Sequence, residues 1–118
     1  MTNEETRYGG MVDNLIERGI RPVVTLHHFS HPIWWEQKGG FTNQNNIPAF
    51  VNYCTRVFDS LSDRVEVWCT INEPTVFSTM GYTLGQFPPG KRSIRLTIKV
   101  MKNLMRAHET VYHLQKEK

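Results

Sequence analysis

Cysteine is scarce in this chain: two among 118 residues, Cys54 and Cys69, each set in an apolar segment. That argues against a disulfide framework and against a cysteine metal pair, and both read as small buried hydrophobes. Charge bias is slight. The formal net charge is +3, with the densest basic cluster at Lys91, Arg92, Arg95, Lys99 and Lys102. Scattered charge of this size does not point to nucleic acid, and the cluster reads as a solvated helix face. No run approaches the ~18 apolar residues of a membrane span. The segment Met1 to Arg7 lacks the apolar stretch of a signal peptide. Repeats and low-complexity tracts are missing too. What remains is an ordinary globular composition, enough for one domain with a modest core.

Periodicity supplies the elements. Tyr8, Met11, Val12, Leu15 and Ile16 form one apolar stripe, which predicts a helix over 4–18, weakened at Gly9-Gly10 and stopped by Gly19. Residues 20–27 are short and almost continuously apolar after Pro22, a pattern that suits a strand buried on both faces. The stretch 28–46 is a long polar and aromatic loop. A helix over about 47–61 follows, capped by Asn46, with Pro48 in its first turn and a stripe of Phe50, Val51, Cys54, Val57, Phe58 and Leu61. Residues 65–71 read as the second strand, with Glu66 as its one charge. A second long loop, 72–93, contains the hard turn Pro88-Pro89-Gly90. The last helix, over about 94–115, is expected to bury Ile98, Met101, Leu104, Met105, His108, Val111 and Tyr112, with His108 a satisfied core histidine.

Strands alternating with helices indicate βαβ units and a parallel sheet. Two parallel strands leave bare apolar edges, so the chain reads as a portion of something larger. Function in such folds gathers where strands emerge into loops. The first strand ends in Leu26-His27-His28-Phe29-Ser30-His31-Pro32-Ile33-Trp34-Trp35 and the second in Thr70-Ile71-Asn72-Glu73-Pro74. A carboxyl at a buried strand end, ringed by aromatics, is expected to favour its protonated form, as a general acid needs. Pro74 biases the Glu73 backbone away from helical angles, and Asn72 offers a donor and an acceptor to a sugar hydroxyl. The tripeptide by itself reads equally well as a helix cap or turn. His28, Phe29, Trp34 and Trp35 supply the aromatic planes and polar groups that sugars bind, although Trp35 by itself reads better as a packing anchor. His27, His28 and His31 do not make a metal site: they start in a strand, where His27 and His28 point to opposite faces.

Together these segments resemble glycoside hydrolase family 1, the β-glucosidase and 6-phospho-β-glucosidase family. Thr25 to Pro32 resembles its strand-three motif and Lys38-Gly39-Gly40-Phe41 the Gly-Gly-Trp segment after it. Asp63-Arg64-Val65-Glu66-Val67-Trp68 leading into Thr70-Ile71-Asn72-Glu73-Pro74 resembles its strand-four motif. Gly85 to Gly90 resembles its Gly-x-x-x-Pro-Gly turn, and Arg106-Ala107-His108 the next helix. The resemblance implies an α/β fold, a partial (β/α)8 barrel with about strands three and four and helices two to four. Residues 1–118 would form one incomplete catalytic barrel of a retaining β-glycosidase. It implies Glu73 as the catalytic acid/base, and Asn72, His28 and Phe29 as substrate-binding residues. Phe29 stands where the family commonly has a Trp, and a Phe at this place resembles the 6-phospho branch.

The family's second catalytic glutamate lies in a Thr-Glu-Asn-Gly motif, which this sequence does not contain. Retaining chemistry needs two carboxyls about 5 Å apart, so the chain by itself is expected to be inactive. The expected partners are a β-glycoside or 6-phospho-β-glycoside and the rest of the barrel, with no nucleic acid, membrane, metal or cofactor. The cytoplasm is the expected compartment. Two rival readings are a non-catalytic carbohydrate-binding remnant and a fragment that completes its barrel with another chain.

Overall fold

A computed structural model describes residues 3–118. Two strands, β1 (Val23–His27) and β2 (Val67–Ile71), pair in parallel, with Val23 opposite Val67 and His27 opposite Ile71. Three long helices, α1 (Asn3–Glu17), α3 (Ile47–Leu61) and α5 (Ile94–Lys116), run beside them, with α3 packed against both α1 and α5. Two short helices, α2 (Ile33–Gln37) and α4 (Pro74–Ser78), follow the strand ends. The two segments read as loops therefore contain structure. After α2 come 3-10 turns at Gly40–Thr42 and Gln44–Asn46, and a π-helical turn at Thr79–Thr83 continues α4. Each piece is five residues or fewer, too short to imprint a hydrophobic period on the sequence.

α3 forms as its stripe dictates, burying Phe50, Cys54, Phe58 and Leu61. Asn46 does not cap it with its side chain. Its Nδ2 instead donates to the carbonyls of Lys38 (2.8 Å) and Gly40 (3.0 Å), tying the preceding loop to the helix start. Burial raises the Cys54 thiol to about 12, and both cysteines are free, Cys54 buried and Cys69 half-buried.

The buried face of α5 is rotated from the expected one. Val100, Asn103, Leu104, Ala107 and Val111 are inside, whereas Ile98, Met105, His108 and Tyr112 are exposed. His108 is thus a surface residue. Asn103 lies on this buried face, and its Nδ2 donates to the Phe41 carbonyl at 2.7 Å, a bond a hydrophobic stripe does not foretell. The face still repeats as Val100, Leu104, Ala107, Val111, the spacing of an apolar helical stripe.

The α1 stripe forms but mostly lies bare. Val12 is buried against Leu61 and Val65, while Tyr8, Met11, Leu15 and Ile16 are exposed. Gly9-Gly10 does not interrupt the helix. Arg64 fastens it to the α3–β2 turn through Asp13 (2.6 Å), the Gly9 carbonyl (3.4 Å) and the Ser60 carbonyl (2.9 Å). Nor is β1 buried on both faces: Val23 is 63% exposed, and only Leu26 and His27 are fully inside. β2 is half-buried throughout, and Glu66 precedes it at the surface, paired with Arg21 at 2.8 Å. A groove of about 770 Å³, lined by Tyr8, Met11, Leu15, Val23, Thr25 and Tyr53, runs along this uncovered side. The extents of 46 × 26 × 23 Å are those of a sector, not a sphere.

Candidate functional site

β1 and β2 release their chains side by side. The Asn72 amide donates to the His27 carbonyl at 2.8 Å, extending the parallel ladder one step past the strands. Neighbouring strands lie about 4.8 Å apart, so the segment starting at His28 and the segment starting at Asn72 share one end of the sheet. Asn72 is half-buried, and Glu73 and His28 are exposed. Adjacent histidines have opposite fates, as strand geometry demands. His27 turns into an aromatic nest of Phe41, Phe50 and Phe77, with ring centroids 5.3, 6.2 and 5.1 Å away. His28 stays outside, its ring 4.9 Å from that of Phe29. Phe29 in turn lies 5.6 Å from Phe87 in the second loop.

Both strand ends carry backbone strain. Among the described residues, the non-glycine residues at positive φ are Phe29 (φ 69) and Glu73 (φ 44). The left-handed region costs an L-residue roughly 1–2 kcal/mol, and such strain gathers where a side chain must be aimed. Glu73 stands at the N-cap position of α4, and its carbonyl accepts the Phe77 amide at 3.0 Å. Its side chain makes no capping bond. The helix-cap reading therefore holds for the Glu73 backbone and fails for its carboxylate, which points to solvent. The aromatic surround and burial expected of Glu73 are not supplied by this chain, because Phe41, Phe50 and Phe77 pack around His27 instead.

The two tryptophans divide. Trp35 is buried and donates from its indole to the Asn46 carbonyl at 3.3 Å, a packing anchor. Trp34 is 56% exposed with the Lys38 ammonium 5.5 Å from its ring centre. No three ligand-type residues are gathered into a metal cluster among the described residues. His27 and His31 are instead joined to each other, Nε2 to Nδ1 at 3.2 Å, and His31 Nε2 is hydrogen-bonded to Glu36 Oε2. Burial first, and then the neighbouring His31 and His28, push His27 down to about 4, so it is neutral at pH 7. Its Nδ1 is buried without a partner, as is the Tyr82 hydroxyl. Sequence reasoning passed over Glu36 and Tyr82. The five-residue step from His31 to Glu36 belongs to no helical or strand period, so no pattern marks them as neighbours.

A cavity of about 750 Å³ opens beside this cluster, lined by Phe29, His31, Glu36, Tyr82, Pro89 and Lys91 among others. No helix among the described residues is long and apolar enough to cross a membrane.

Residues 6–118 match the family model described as Glycosyl hydrolase family 1. Beta-glucosidase A of Thermotoga maritima is 38% identical over 101 residues, 86% of this chain and 23% of that protein. The 6-phospho-beta-galactosidase of Clostridium acetobutylicum is 39% identical over 110 residues, 92% of this chain and 23% of its own. Among solved structures, a beta-glycosidase from Pyrococcus horikoshii superimposes over 100% of this chain and 28% of its own, with a TM-score of 0.94 and 39% identity. The chain thus spans about a quarter of the length of these relatives.

Proposed function

The chain belongs to glycosyl hydrolase family 1 and has the fold of a partial (β/α)8 barrel, and from that membership we propose that it is the acid/base quarter of a retaining β-glycosidase. The carrying observation is Glu73 itself. It stands where β2 emerges, its backbone is left-handed, and its carboxylate takes no part in capping α4. In this reading Glu73 protonates the departing glycosidic oxygen and then deprotonates the incoming water. Asn72 and His28, on the same end of the sheet, hold hydroxyls of the sugar, and Phe29 shapes its pocket. The second carboxylate comes from the rest of the barrel. So do the walls that would close around Glu73.

The uncovered side of the chain supports completion by further barrel. Tyr8, Met11, Leu15 and Val23 expose apolar surface around a groove beside β1, and two parallel strands are a poor sheet by themselves. The substrate is a β-glycoside. Phe29, together with the 6-phospho-beta-galactosidase among the relatives, keeps 6-phospho-β-glycosides within the proposed class.

A segment exchange tests the catalytic reading. This chain replaces its counterpart in the Thermotoga maritima Beta-glucosidase A, and the chimera is compared with its Glu73→Gln variant. General acid catalysis contributes roughly 10²–10⁴-fold. A loss of that size is expected for aryl glucosides with poor leaving groups, and a much smaller one where the leaving group needs little protonation. Equal losses across the series would reject the acid role.

A further inference from the structure

The turn that carries His28 and Phe29 lacks backbone support. Among the described residues, none of the amides of Phe29, Ser30 and His31 donates a backbone–backbone hydrogen bond. Yet Phe29 is held at φ 69, a conformation that persists only where surrounding contacts impose it. The Phe29 ring packs on Phe87, and side-chain hydrogen bonds that tie the ends of the turn to the fold come from His31. One ring nitrogen reaches back to His27 Nε2, at the end of β1, at 3.2 Å. The other reaches forward to Glu36 Oε2, in α2. The ring is also fixed in place, stacked on His27 at 5.5 Å and edge-on to Trp35 at 4.7 Å. The turn is thus clamped at both ends by one residue.

The protons in this chain of groups have one consistent arrangement. His27 is neutral and carries a single ring proton. Its Nδ1 is buried without a partner, and a buried N–H without an acceptor costs more than a bare lone pair that a ring nitrogen can keep. The proton therefore sits on Nε2 and is donated to His31 Nδ1. That leaves His31 Nε2 as the donor to Glu36, a charge-assisted bond and the strong link of the chain.

We infer that His31 is a positioning residue: bridging His27 and Glu36, it holds the left-handed turn that presents His28 and Phe29, and so sets how tightly the sugar is held rather than how fast its bond breaks. This rests on the proposed binding roles of His28 and Phe29, not on the acid/base role of Glu73.

The chimera described above serves as the test, with His31→Phe, Glu36→Ala, Glu36→Gln and the double variant His31→Phe/Glu36→Ala. Phenylalanine keeps the ring contacts and removes both bonds. One lost hydrogen bond corresponds to roughly tenfold in affinity. His31→Phe and Glu36→Ala should each raise KM for an aryl β-glucoside on the order of tenfold, with kcat changed less than about threefold. Glu36→Gln, which keeps an acceptor, should recover most of the loss. The double variant should match the worse single one, because both cut the same chain. The same ratios should appear in the Kd of a glucose-configured iminosugar, a readout that needs no turnover. An unchanged KM, a fall in kcat with KM unchanged, or additive losses would each overturn the inference. Should His31→Phe fail to fold, the Glu36→Ala and Glu36→Gln pair must show the split between KM and kcat by themselves, and its absence is equally fatal. A Glu73→Gln variant that keeps full activity would reject the catalytic reading and leave the iminosugar comparison standing.

Discussion

Burial of His27 makes the stability of this chain fall as pH is lowered. The residue is 3% exposed among Phe41, Phe50 and Phe77, and burial lowers it to about 4 from the ordinary 6.5. Between pH 6.5 and 4 the unfolded chain binds a proton at this ring that the folded chain refuses. The stability held above pH 6.5 is therefore lost progressively as pH falls towards 4. At 1.36 kcal/mol per pKa unit, the full span amounts to about 3 kcal/mol. His27→Phe removes this titration while filling the same aromatic nest. Urea unfolding, followed by the fluorescence of Trp35 and Trp68 from pH 4 to 7.5, would compare the two. The native chain should lose about 3 kcal/mol more than the variant across that range. Superimposable pH profiles would mean that the proton enters the folded nest without penalty, and the account of His27 as a buried neutral ring would be wrong.

Asn103→Ala should destabilise the chain by about 2 kcal/mol in the same unfolding measurement, because it orphans the buried Phe41 carbonyl; a loss under about 0.5 kcal/mol would mean that this bond adds little to the packing of α5. Glu73→Gly should raise stability by about 1 kcal/mol, since glycine adopts the left-handed backbone freely and offsets only part of the gain through its own entropy. In the chimera it should lower turnover of glucosides with poor leaving groups as Glu73→Gln does. A variant less stable than the parent would contradict the strain at φ 44.

The parallel pair, α3 and the two strand-end motifs follow from sequence because each rests on a local rule. β-branched runs make strands, a complete apolar stripe makes α3, and a barrel places function at strand ends. The motifs also sufficed for the family, which the match over residues 6–118 bears out. Tertiary structure decided what depends on partners distant in sequence. Phe41 and Asn103, 62 residues apart, are joined by a buried hydrogen bond on the face that α5 turns inward. His27, His31 and Glu36 meet only because the chain turns sharply between β1 and α2. The positive φ of Phe29 and Glu73 could not be read from residue type, since both side chains disfavour it and only packing imposes it. The exposure of Tyr8, Leu15 and Val23 has the same origin. A hydrophobic stripe records that a surface is made to be covered, whereas only the assembled fold shows which of its residues this chain covers by itself.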